Sequence, residues 1–182
     1  AHIGRFWSGC ASAVKHGLEI LGIGLVDADI KDCMMLRAVQ TRNVAELAAE
    51  NLTLPEWYLS VLKRYKDNLL RITNIVVADA AFSNKTFVTG LKEIGFELVS
   101  RLRANSVLFY LYEGERTGKR GRPKKYDGKV DFENLDTSRM TRLFIDLSEG
   151  SAFELIVWSK ALEQKIKLVI HFLPNGDYRL YF

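Results

Sequence analysis

The apolar positions near the amino terminus fall in two extended runs. "IGRFWSGCA" is short and aromatic, and "GLEILGIGLVD" is longer, with glycines that suit close packing or bulges. Asp29 then stands where an N-cap would, ahead of "IKDCMMLRAVQT", in which Cys33, Leu36, Val39 and Gln40 recur at helical spacing. This predicts a first helix, with Met34 and Met35 filling a core. A second helix is better marked. Thr53 and Glu56 form a T-x-x-E capping box and Pro55 sits in the first turn. Trp57, Leu59, Leu62, Tyr65, Leu69 and Leu70 supply its apolar face.

The stretch "NIVVADAAFSNKTFVTGLKEIG" has a different design. A four-residue apolar run, Ile75 to Ala78, ends on Asp79, and a helix opens at Ser83 or Asn84. Phe87, Val88, Leu91 and Ile94 share one side of that helix, and Gly95 ends it as a C′ glycine. "FELVSRLR" returns as a strand, so strand, helix and strand form a βαβ unit with parallel strands. From Ser106 onward the chain is rich in β-branched and aromatic residues: "SVLFYLY", "RLFIDL", "FELIVWSKAL", "KIKLVIHFL" and "DYRLYF". "PNGD" predicts a type I′ hairpin turn between the last two. The fold class is α/β: a mixed sheet with helices, followed by a mainly antiparallel β block.

A chain of 182 residues suits one domain, or one and a half, with a substantial core. No run approaches the ~20 apolar residues that cross a bilayer, and no signal-peptide core opens the sequence. Cys10 and Cys33 make no disulfide framework, and with three scattered histidines they make no zinc pattern. Reduced, partly buried thiols in a cytoplasmic protein are the expectation. Charge is more telling. Net charge is +4, yet Arg116 to Lys129, "RTGKRGRPKKYDGK", carries seven basic residues against Asp127, leaving −2 for the rest. Attraction to a polyanion is therefore local.

Asp79 has two readings. It can cap the turn after its strand by accepting from loose backbone N–H groups. Ligands of α/β sheets, however, bind outside the carboxyl ends of strands, where a carboxylate helps to hold a hard cation. The basic loop is likewise either a solvated tip or a set of phosphate contacts from Lys119, Arg120, Arg122, Lys124 and Lys125. Its "GRP" also has the form of a minor-groove arginine motif. Arg101 and Arg103 follow the second strand of the βαβ unit and face either the same phosphate backbone or solvent.

"VVADAAFSNKTFVTGLKEIGFELVSRLR" followed by "LFYLYEGERTGKRGRPKKYDGK" resembles the central part of DDE-type insertion-sequence transposases, and "FWSGCASAVKHGLEILGIGLVD…AVQT" is similar to what precedes their second acid. The resemblance implies part of an RNase-H-like catalytic core over residues 1–103 and most of a β insertion with its basic loop over 104–182. It implies that Asp79 is the second acid of the catalytic triad and a metal ligand, with Mg²⁺ or Mn²⁺ as cofactor in two-metal phosphoryl transfer. It further implies DNA as partner, both transposon ends and target, a dimer on DNA, and a nucleoid-associated place in a bacterial cytoplasm. Neither the first acid nor the third falls on a matching residue. Asp27, Asp29 and Glu19 come too late for the first, and no Glu follows Tyr178–Arg179. By the resemblance those acids lie outside residues 1–182, so this segment alone is expected to be inactive and to lack a central strand. The alternatives are another RNase-H-like nuclease and a non-catalytic DNA-binding remnant.

Overall fold

The computed structural model describes residues 2–103, 105–115 and 123–182. The chain divides into two compact units, Ala1–Arg64 and Tyr65–Phe182.

The first unit is built from two antiparallel hairpins and the start of a helical segment. β1 (Gly4–Ser8) pairs with β2 (Ala13–Gly17), and β3 (Ile20–Asp27) pairs with β4 (Asp32–Gln40). The helix expected from Ile30 is therefore strand β4. Asp29 is not an N-cap. Instead Asp27 Oδ1 accepts from the N–H groups of Asp29 and Ile30, and Lys31 takes a φ of 55°, which turns the chain back on itself. Once that turn forms, pairing along β3 outweighs the weak helical spacing of four residues. Met34 and Met35 are exposed on this hairpin, not core filler, and both cysteines are exposed and unbonded instead of partly buried.

α1 (Val44–Ala49), which the apolar spacing did not reveal, carries a complete capping box: Asn43 accepts from the Glu46 N–H, and Glu46 accepts from the Asn43 N–H. α2 (Leu54–Leu70) begins where expected. Glu56 accepts from the Thr53 N–H at 2.7 Å, and the Thr53 hydroxyl donates to the same carboxylate at 2.6 Å. Trp57, Val61 and Leu62 are its buried residues.

The second unit holds the βαβ module. β5 (Ile75–Ala78) and β6 (Glu97–Ser100) are parallel, as the pattern predicts. Between them a 3-10 turn, Ala80–Phe82, leads into α3 (Lys85–Glu93). Asn84 caps α3 by accepting from the Phe87 N–H, and Phe87, Val88 and Leu91 are buried. At the far end Gly95 has a φ of 94°. Its N–H reaches Lys92 O and that of Phe96 reaches Leu91 O, a Schellman ending.

The β-rich part forms a sheet in the order β12–β11–β10–β7–β8, with β9 also on β10. Its strands are β7 (Leu108–Leu111), β8 (Tyr126–Lys129), β9 (Thr141–Leu143), β10 (Ser151–Ser159), β11 (Gln164–Phe172) and β12 (Tyr178–Tyr181). All its pairings are antiparallel. The β11–β12 turn is not type I′. Gly176 alone takes a positive φ, 89°, and its N–H bonds Leu173 O across Pro174 and Asn175. Proline fixes φ near −65°, so this loop adopts an ordinary turn closed by a left-handed glycine. A short ladder joins β12 to β6: Ser100 and Phe182 exchange both backbone bonds, and the Leu102 N–H donates to Leu180 O. The segments expected as catalytic core and insertion thus share one hydrogen-bonded surface. Its buried side packs Val88 of α3 with Leu102, Leu108, Val157, Leu168, Ile170 and Leu180.

Candidate functional site

The site is built on the end of β5. Four extended residues place Asp79 one step past the last β5–β6 pair, Ala78 with Ser100, and Arg101 is one step past the same pair on β6, so both follow the carboxyl ends of parallel strands. Asp79 keeps an extended backbone, φ −73° and ψ 175°, and Oδ1 accepts from the Ala81 N–H at 2.8 Å. The carboxylate is exposed and therefore both caps the 3-10 turn and faces solvent.

What anchors it lies beneath. Ser100 is buried, and its hydroxyl donates to the Asp79 carbonyl oxygen at 2.9 Å. Ser83 Oγ lies 2.9 Å from Ser100 Oγ and 2.9 Å from the Arg101 carbonyl oxygen. Two hydroxyl protons serve three contacts, which ties the turn after β5 to the end of β6. Phe82 and Phe87 pack 4.9 Å apart and close the same corner. Sequence reasoning found Asp79, and named Ser83 or Asn84 as the start of the helix, of which Asn84 is the cap; it did not find Ser100 or the anchoring role of Ser83. Their role depends on a pairing across 17 to 21 residues, which leaves no local mark.

The basic segment is described only in part. Lys119, Arg120 and Arg122 lie outside the described residues. Lys124 is already engaged: its Nζ lies 2.8 Å from Asp127 Oδ1 and 4.8 Å from the centre of the Tyr112 ring. Arg139, which drew no attention in the sequence, meets the other Asp127 oxygen at 2.6 Å and lies over Tyr110. Lys124 first and Arg139 next, both by hydrogen bonding, hold the Asp127 carboxyl below its ordinary range. Lys125 is exposed, and its carbonyl accepts from the Tyr112 N–H. Arg101 and Arg103 are exposed, and among the described residues neither forms a salt bridge.

A carboxylate at the carboxyl end of a parallel strand, with an exposed arginine just past the end of the neighbouring strand, is suited to phosphodiester chemistry. The protein-family model described as "DDE superfamily endonuclease" matches residues 28–164, well over half of the chain. This chain belongs to the DDE superfamily endonucleases. No curated protein and no solved structure matches it significantly. Membership carries nuclease-type phosphoryl transfer with DNA as substrate, and the mixed α/β architecture is compatible with an RNase-H-like DDE domain.

These endonucleases generally use divalent metals, and hard cations of that kind take six or more oxygen ligands. Among the described residues no three His, Cys, Asp or Glu side chains gather to hold an ion. Asp27 is used in the β3–β4 turn, and Glu19 accepts from the Tyr58 hydroxyl at 2.7 Å. Asp79 thus offers one ligand at most, and the donor set described does not by itself fit a two-metal centre.

Proposed function

We propose that this DDE endonuclease is the catalytic-domain segment of an insertion-sequence transposase, cutting DNA and joining the freed 3′ end to a target. The observation that carries the reading is the exposed carboxylate of Asp79, whose backbone carbonyl Ser100 holds at the carboxyl end of β5. We assign Asp79 as the catalytic acid contributed by these residues and as a ligand of the Mg²⁺ or Mn²⁺ ion that such chemistry employs. Further carboxylates must complete that centre. The chain's own part is to fix one carboxylate and to draw the phosphate backbone towards it. Lys119, Arg120, Arg122 and Lys125 supply non-specific attraction, with Arg101 and Arg103 near the strand ends. Lys124 adds less while it stays on Asp127. We assign transposon ends and target DNA as partners, bound by a dimer.

Transposition and simple cleavage part at one product. Incubating the full-length protein with a DNA fragment bearing a free 3′ end and a circular target plasmid should yield joined molecules. Nicked or linear plasmid without joined product would establish a nuclease instead. Duplex binding with neither product would favour a non-catalytic remnant, for which the capping bond of Asp79 is a sufficient role.

A further inference from the structure

The sheet of the second unit has two unlike sides, and register shows which residues share the open one. Lys129 of β8 is paired with Phe109 of β7, Phe109 with Trp158 of β10, and Trp158 with Lys165 of β11. Residues directly opposite one another point to the same face. These four therefore form a row across four strands: lysine, two aromatic rings, lysine. Tyr126 joins them, its ring 5.2 Å from Phe109 and 5.8 Å from Trp158. The other face at the same strands is the buried core, including Leu108 and Val157, each 0% exposed. The three rings of the row are half-buried by one another, while both lysines are exposed.

The same face continues across the ladder towards the strand ends. Val169 is paired with Tyr181, and Tyr181 with Arg101, which follows the last β6 residue paired with β5 as Asp79 follows the last of β5. Seven strands lie edge to edge from β5 to β8, and at ~4.8 Å per strand the row's Trp158 is about 19 Å from the strand of Asp79. Lys167 is held by Glu154 at 3.2 Å, whereas among the described residues Lys129 and Lys165 form no salt bridge.

We propose that this face is a platform for a single-stranded segment of nucleic acid, whose bases stack on Phe109, Tyr126 and Trp158 while Lys129 and Lys165 meet its phosphates. The inference rests on the nucleic-acid reading above and adds to it a site and a strand state. Rings standing on an open sheet between cations match unpaired bases, which offer flat faces and a charged backbone. A duplex keeps its bases stacked inside and gives such rings nothing to cover. The occupant is a strand end freed near Asp79, led across the sheet away from the strand ends.

The test compares labelled oligothymidylate with a blunt duplex, both titrated with full-length protein and read by fluorescence anisotropy over a range of salt. Wild type should bind both. Lys129→Gln with Lys165→Gln should weaken the single strand and lower its log–log salt slope by about 1.4, two phosphates at ~0.7 each, and Lys165→Gln alone should lower it by about 0.7 with duplex binding little changed. Trp158→Leu should weaken oligothymidylate about tenfold or more. The exposed lysine pair decides the matter if the tryptophan variant fails to fold. Unchanged single-strand affinity and slope in the lysine variant would overturn the platform, as would wild type that binds the duplex alone. Binding to neither would overturn the nucleic-acid reading beneath it.

Discussion

Ser100 is 2% exposed, and its hydroxyl is the partner of a carbonyl oxygen that follows β5. Ser100→Ala leaves the Asp79 carbonyl oxygen without its hydroxyl donor and Ser83 with the Arg101 carbonyl oxygen alone. The expected cost is about 1–3 kcal/mol, read by urea unfolding. A loss indistinguishable from zero would mean that the turn bearing Asp79 is held by its cap and by Phe82 alone. Asp127 makes a pH prediction. Its carboxyl is held low in the folded state by Lys124 and Arg139, so its contribution to stability is present above the ordinary Asp range. That contribution fades as pH falls through about 4 and below. Asp127→Asn should flatten that part of the acid-induced fall in Tm, whereas an identical acid limb in wild type and variant would contradict the assignment. The group is solvent-exposed, so the effect is modest.

Among the elements, the ones legible in the sequence carry their own punctuation. The βαβ module has an apolar run, an Asn cap and a terminal glycine, and each local signal agrees with the long-range pairing. β4 shows the opposite case. "DCMMLRAVQ" has apolar residues that fit either period, so only the β3–β4 turn decides, and that turn is made by Asp27 and not by Asp29. β2 (AVKHG) is short and polar and owes its existence to β1. The site was half legible for the same reason. Asp79 is visible because it interrupts an apolar run, while Ser100, Arg139 and the Phe109–Trp158 row exist only through register. Gly95 gives the element-level prediction. A Cβ there would meet only Leu70 Cδ1 at 3.6 Å, so the penalty of Gly95→Ala is conformational. About 1–2 kcal/mol is expected from thermal unfolding, and a neutral result would mean that the end of α3 relaxes out of its left-handed turn. Leu91→Ala, by contrast, empties a fully buried position on the same helix and should cost about 2–5 kcal/mol.

At the scale of the whole molecule the charge is unevenly placed, +6 in residues 116–129 against −2 elsewhere. Duplex affinity should therefore depend steeply on salt and on that segment. Replacing Lys119, Arg120, Arg122, Lys124 and Lys125 by Ala should lower the log–log slope by ~0.9 for each phosphate left without its cation, with Lys124 contributing least because Asp127 already holds it. An unchanged slope would move the DNA to another surface. The central claim, that the carboxylate closing β5 serves catalysis as well as capping its turn, is tested most directly by one substitution. Asp79→Asn keeps the shape and the acceptor for Ala81 but removes the charge. In full-length protein we expect plasmid cleavage to fall by more than the about 100-fold typical of removing a group that merely supports a metal ligand, with duplex affinity unchanged. Cleavage by Asp79→Asn at the wild-type rate would contradict the account and leave Asp79 as a cap.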